Sequence, residues 1–191
     1  MSKFSVILAD PPWMYSDKAS AGKRGAAFKH SCMSLKDIQA LPVGEIAAED
    51  SCLFLWATWP LIKEGLATIE AWGFQYKTLA FDWIKTNKVA GTWFWGMGNW
   101  TRSNPEVCLL GVKGIPKRVS ASVHSVVTHN MIGNSGKPPI VRDKIVELCG
   151  DVPRIELFAT EQIAGWKSLG FGIDGRDIRE TLPELIGGRN E

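Results

Sequence analysis

The alternation of apolar and polar positions divides the chain into short runs of recognisable period. KFSVILA (3–9) is a continuous apolar stretch, as suits a strand buried on both faces. SLKDIQAL (34–41) has helical spacing, with Ser34 as its cap and Pro42 as its end. CLFLWA (52–57) predicts a second buried strand. TWPLIKEGLATIEAWG (58–73) predicts a helix with Thr58 as cap, Pro60 in the first turn and Gly73 as stop. A third strand, YKTLAFDWIK (76–85), follows. Strand, helix and strand at this spacing predict a βαβ unit and a parallel sheet. Beyond a loop at 86–104, EVCLLGVKG (106–114) and SVHSVVT (122–128) read as strands. PPIVRDKIVELCG (138–150) reads as a helix opened by proline and closed by Gly150. RIELFA (154–159) is a further strand, and GWKSLG (165–170) and RDIRETLPEL (176–185) close the chain. With no repeat, low-complexity tract or long linker, residues 1–191 read as one α/β domain, a three-layer sandwich.

In such sheets ligands bind beyond the carboxyl ends of the strands. Two strand-end loops therefore compete for the site: Asp10-Pro11-Pro12-Trp13 after the first strand, and Ala159-Thr160-Glu161-Gln162 after a late one.

Composition narrows the class. At 191 residues the chain is long enough for a real core, and 45% apolar with 22% charged is ordinary globular usage. No apolar run approaches a membrane span, and no secretory pattern opens the chain. Cys32, Cys52, Cys108 and Cys149 are scattered without a C-x-x-C pair. These features predict free thiols and a cytoplasmic protein away from membranes. The net charge of +2 hides an uneven distribution. Between Trp83 and Lys144 nine Lys or Arg face only Glu106 and Asp143, whereas residues 145–191 hold five basic against nine acidic. A basic middle suits a polyanionic partner. Three of the nine tryptophans, Trp93, Trp95 and Trp100, fall in one glycine-rich loop.

Some motifs fail on context. GFGIDG (170–175) has dinucleotide-fingerprint spacing, but it follows no clear strand and too little chain remains for a βαβ unit. GNSGKPP (133–139) resembles a phosphate loop, yet proline follows Lys137 where Ser or Thr should bind magnesium. His124 and His129 are five apart, awkward for one metal, so no metal centre is expected.

The Asp-Pro-Pro-Trp loop is different. Two prolines make a stiff segment whose carbonyls are expected to point at a ligand, and Asp10 adds a carboxylate acceptor. Trp13 is expected to stack on a ring. Such a cradle suits the exocyclic amine of adenine or cytosine, a poor nucleophile because its lone pair is conjugated into the ring. Accepting both N–H hydrogens draws the nitrogen toward tetrahedral geometry and frees the lone pair to attack. That is preorganised electrostatics plus positioning.

On these residues the sequence resembles the DPPW-type adenine-N6 methyltransferases, the family of the catalytic subunit that methylates adenosine in messenger RNA. The resemblance runs through ADPPW (9–13), SCMSLKDIQAL (31–41), CLFLWAT (52–58), WGFQYKTLAFDWIKTN (72–87), GNWTRSNPEVCLLGVKG (98–114), SGKPPIVRDKIVEL (135–148) and IELFAT (155–160). It implies S-adenosylmethionine as methyl donor and a permuted Rossmann-like fold with the catalytic loop first and the cofactor strand late. Asp10, Pro11, Pro12 and Trp13 match the catalytic motif, with Asp10 and Pro11 also beside the cofactor. Glu156 and Phe158 match cofactor-pocket positions, as do Lys137 and Pro138. The chain departs from the family pattern at Thr160, where an Arg is usual, at Phe171-Gly172 in place of ribose-binding residues, and at Pro105 in place of a lysine. Asn104, Ala159, Thr160, Glu161 and Gln162 are the neighbours expected to complete the pocket.

Two loops are expected to hold substrate: 14–30, with Lys18, Lys23, Arg24, Lys29 and His30, and 86–104, with Lys88, Trp93, Trp95, Trp100 and Arg102. Basic and aromatic residues interleaved on a loop suit phosphate contact plus base stacking. DNA is preferred over RNA, with a flipped adenine and a wedge from such a loop filling its gap. The alternatives are RNA adenosine methylation and an inactive nucleic-acid-binding scaffold. A small-molecule amine methyltransferase would leave the basic, Trp-rich middle without a purpose. The oligomeric state stays open, a homodimer included.

Overall fold

A computed structural model describes residues 3–14, 32–98, 100–133 and 136–188. Seven strands form one sheet: β1 (Phe4–Ala9), β2 (Ala47–Ala57), β3 (Gln75–Thr86), β4 (Glu106–Lys113), β5 (Val126–Asn130), β6 (Arg154–Leu157) and β7 (Lys167–Leu169). Their order is β5-β3-β4-β2-β1-β6-β7. The helices are α1 (Leu35–Gln39), α2 (Val43–Ile46), α3 (Ile62–Ala71), α4 (Ile140–Cys149), α5 (Phe171–Asp174) and α6 (Ile178–Gly187).

The pleat sorts the core into two faces. Ile7 and Ala9 of β1, with Leu53, Leu55 and Ala57 of β2, face one way and meet Ile38, Ile46, Ile69 and Leu182 from α1, α2, α3 and α6. Val6, Leu8, Phe54 and Trp56 face the other way, toward Val141 and Ile145 of α4. Helices thus cover both faces, as the sandwich reading requires.

The parallel-sheet expectation needs correction. β2 and β3 do run the same way across α3, but β4 lies between them and pairs antiparallel with both. β4 runs opposite to every other strand of the sheet. An apolar run has no direction, so its periodicity is silent on this point. Ser34 caps α1 as expected, its hydroxyl accepting from the Asp37 amide at 3.1 Å. α3 starts later than expected, because Trp59–Leu61 form a 3-10 turn around Pro60 before Ile62. Contrary to expectation, the GFGIDG segment does follow a strand, since β7 ends at Leu169. That segment nevertheless builds only the four-residue α5.

The topology brings the chemistry to one edge. Ala9 is in register with Leu157, so the carboxyl ends of β1 and β6 lie side by side. β3 ends at the same edge, and β4, running the other way, begins there with Glu106.

Candidate active site

Asp10 leaves β1 with its side chain one-third exposed. Lys137 is delivered to it by the chain just ahead of α4, its Nζ 2.7 Å from Asp10 Oδ2. The same ammonium lies 2.9 Å from Glu106 Oε1, and Glu106 Oε2 is 2.9 Å from Lys85 Nζ. Four charged side chains from four segments thus alternate in sign along the edge: Lys85, Glu106, Lys137 and Asp10. Two tryptophans underlie the cations, Lys137 over Trp56 at 5.5 Å and Lys85 over Trp83 at 4.9 Å, and the two indoles meet edge to face.

Burial pushes the Asp10 carboxyl above its ordinary value, and the nearby carboxylates of Glu106 and Glu156 add to this against the Lys137 ion pair. Burial also opposes the charge of Glu106, but Lys137 and Lys85 outweigh it and hold that carboxyl below its usual range. Lys137, despite burial, is held firmly protonated by its two acidic partners.

The two prolines do not offer free carbonyls. Pro11 accepts from the Trp13 amide at 2.8 Å and Pro12 from the Met33 amide at 3.1 Å, so the loop is stiffened by its own chain. Each carbonyl retains one lone pair. Asp10 Oδ1 has no partner among the described residues and is the open acceptor. The stacking expectation for Trp13 is corrected as well. Its ring is 8% exposed within the core, and its Nε1 donates to the Trp56 carbonyl at 3.0 Å. A large apolar ring next to a strand end gains more from burial than from display.

Across the β1/β6 junction, Phe158 takes a left-handed φ of 62°, a conformation that costs a bulky residue energy and clusters at functional sites. Ala159 is buried and Thr160 exposed. The backbone of 170–172 presses on this turn, since a Cβ on Gly170 would lie 2.4 Å from the Ala159 backbone and one on Gly172 2.4 Å from the Thr160 Cα. Glu156 receives a two-pronged hydrogen bond from Arg142 at 2.8 and 2.9 Å, and Glu161 approaches the same guanidinium at 3.9 Å. Gln162 donates back to the Trp166 carbonyl at 2.9 Å.

Asn104, singled out as a pocket residue, has its amide fully engaged. Its Oδ1 accepts from the Lys85 amide, and its Nδ2 donates to the Lys85 and Phe94 carbonyls. Arg102, singled out for phosphate, donates instead to the carbonyls of Gly96 and Trp95 at 2.8 and 3.1 Å. Both hold the 86–104 loop together, on which Trp93, Trp95 and Trp100 remain exposed. Lys88 is exposed on the same loop. Lys18, Lys23, Arg24, Lys29 and His30, expected to hold substrate, lie outside the described residues. Part of the basic middle is internal, because Lys85, Lys137 and Arg142 are spent on carboxylates.

Sequence reasoning missed Lys85, Glu106 and Arg142. Glu106 left one signal, a lone acid opening an otherwise apolar strand. An open cleft of about 700 Å³ on Phe4, Pro153, Arg154 and Trp166 lies at the opposite edge, where β1 and β6 begin.

Residues 4–172 match the MT-A70 family. The chain is 34% identical to the type II methyltransferase M.MunI of a Mycoplasma species, over 92% of this chain and 80% of that protein. It is 30% identical to an N(6)-adenosine-methyltransferase MT-A70-like protein of Drosophila melanogaster and 27% identical to the human N(6)-adenosine-methyltransferase catalytic subunit METTL3. Each of these matches covers 97% of this chain but only 29% and 30% of the longer proteins.

Proposed function

The chain belongs to the MT-A70 family of methyltransferases, whose methyl donor is S-adenosylmethionine, and we propose that it methylates the exocyclic N6 amino group of adenine in DNA. The observation that carries this reading is the Asp10–Lys137 pair at the β1/β6 junction. An anion and a cation side by side are the donor set that the zwitterionic amino-acid end of the cofactor needs. Phe158, Ala159 and Thr160 would wall the remainder, and Pro11 and Pro138 would border it. When bound, the cofactor supplies an electrophilic methyl group. The protein's part is electrostatic and positional. Asp10 Oδ1 accepts one N–H of the target amine, and the remaining lone pair on a proline carbonyl accepts the other. Lys137 holds Asp10 in place and favours its ionised form. The alkylated arylamine sheds its proton readily, so no strong base is required.

DNA is favoured over RNA by the match to M.MunI, which covers 80% of that protein. Among the described residues no helix is long and apolar enough to cross a membrane. Four free thiols support a reducing, cytoplasmic setting. The test is transfer of labelled methyl from S-adenosylmethionine to duplex DNA, single-stranded DNA and RNA, with Asp10→Ala as control. Incorporation into DNA that Asp10→Ala abolishes is expected. Incorporation into RNA alone would overturn the choice of substrate, and none at all would leave a nucleic-acid-binding scaffold.

A further inference from the structure

The 86–104 loop spends its polar groups on rigidity and its aromatic groups on solvent. Asn87 Nδ2 donates to Thr92 Oγ1 at 3.0 Å and to the Trp93 carbonyl at 3.1 Å. Arg102 pins the Trp95 and Gly96 carbonyls, and the Gly96 amide reaches the Ser103 carbonyl at 2.7 Å. A Cβ on Gly96 would meet Ser103 Oγ at 2.8 Å, so the two limbs of the loop touch. On this braced frame Trp93 and Trp95 are about half exposed and Trp100 is 98% exposed. A folded protein does not ordinarily leave three indoles in water. The Trp93 and Trp95 backbones are held by the Asn87 and Arg102 side chains, which limits the entropy lost when those two rings are placed against a partner.

The loop is also tied to the catalytic edge. Asn104 joins the Phe94 carbonyl to the Lys85 backbone, and the Lys85 ammonium continues through Glu106 and Lys137 to Asp10. β3 is the third neighbour of β1 in the sheet. At strand spacing that places the root of the loop roughly 14 Å from Asp10. This is of the order of the roughly 12 Å width of the DNA major groove.

We infer that the substrate is duplex DNA opened at the target pair, with Trp100 entering the stack where the adenine has left and Trp93 and Trp95 supporting the neighbouring bases. The inference rests on the DNA-methylating reading above. An indole has the flat apolar faces that a vacated base step requires, and stacking carries no demand on sequence. Lys88 on the same loop supplies a cation for the flanking phosphates. A protein partner is the less favoured occupant. One loop exposing Trp93, Trp95, Met97 and Trp100 is far short of the roughly 800 Å² per side of a stable interface.

The test compares Trp100→Ala with the parent protein on three DNAs: a duplex, the same target as a single strand, and a duplex whose target adenine faces an abasic site. On the plain duplex kcat/KM is expected to fall by about tenfold or more. On the single strand it should stay within about twofold, and the abasic partner should restore the duplex. 2-Aminopurine at the target should brighten when the parent protein binds and stay dim with Trp100→Ala. Trp100 is solvent-exposed, so an unchanged melting temperature is the folding control. Equal loss on all three DNAs, or no loss on any, overturns the inference while DNA methylation itself stands. Loss accompanied by conversion of a dimer to a monomer in sedimentation also overturns it, in favour of self-association. If the parent protein methylates no DNA, the underlying reading fails and the inference falls with it.

Discussion

Lys137 stands between two carboxylates, 2.7 Å from Asp10 and 2.9 Å from Glu106, and the balance between them governs when Asp10 carries charge. Asp10 must be ionised to accept an amine hydrogen. Its carboxyl is raised by burial, so ionising it costs stability, a cost that appears as pH rises through the folded-state value. The acid limb of kcat/KM for methyl transfer is therefore expected above the ordinary aspartate range. Lys137→Met removes the attraction that opposes burial and should move that limb upward. Glu106→Gln removes a neighbouring negative charge and should move it downward. Movement of both variants in one direction would reject this electrostatic account.

Glu106 is also structural. It is shared by Lys85 and Lys137, and all three side chains are no more than 21% exposed. Glu106→Gln leaves two partly buried cations with reduced compensation. The expected cost is about 3 kcal/mol, at the lower end for breaking a buried pair because some solvent reaches the site. Because the folded pKa of Glu106 is depressed, its contribution is present above the unfolded value and lost as pH falls through the folded one. Urea unfolding of parent and variant should therefore converge at low pH. A constant gap across the range would contradict this.

Trp13→Ala is expected to lower stability by about 3–5 kcal/mol, the usual cost of deleting a core aromatic. Trp13→Phe should lose less, with the Trp56 carbonyl left without its indole donor. Chemical denaturation measures both. A stable Trp13→Ala protein with a higher KM for DNA would return the ring to a stacking role.

The loop and the strand were visible in the sequence for different reasons than the site was. Strand β1 and its Asp10 exit could be read because an apolar run broken by Asp-Pro-Pro has one simple interpretation. The two core faces followed from the same periodicity. The Lys85–Glu106–Lys137 chain could not be read, because its members are separated by up to 52 positions and meet only when β4 is inserted between β2 and β3. Composition misdirected in one respect. Arg102 and Asn104 look like ligand-binding residues in a basic, aromatic stretch, yet a loop with three exposed indoles first needs its own carbonyls and amides satisfied.

Asn104→Ala should expose that requirement. It removes three hydrogen bonds, leaving the Lys85 amide and the Phe94 carbonyl to find water, while the Lys85 carbonyl keeps the Phe94 amide. A loss of about 2 kcal/mol is expected, and Asn104→Asp should not rescue because the Phe94 carbonyl needs a donor. Tryptophan emission and its quenching by acrylamide report the loop directly. Unchanged quenching would mean that the loop is braced by other groups.

Gly170→Ala tests the wall opposite Asp10. The new methyl would sit 2.4 Å from the Ala159 backbone, which is main chain and cannot rotate away. The turn at Phe158–Thr160 must shift, and overpacking of this kind costs about 1–3 kcal/mol. If that turn walls the cofactor, the Kd for S-adenosylmethionine measured by calorimetry should rise. The ion pairs of Asp10 and Lys137 lie on other elements, so the position of the acid limb at saturating cofactor should hold. An unaltered Kd in a protein that has lost stability would remove residues 158–160 from the cofactor site and leave Gly170 a packing role alone.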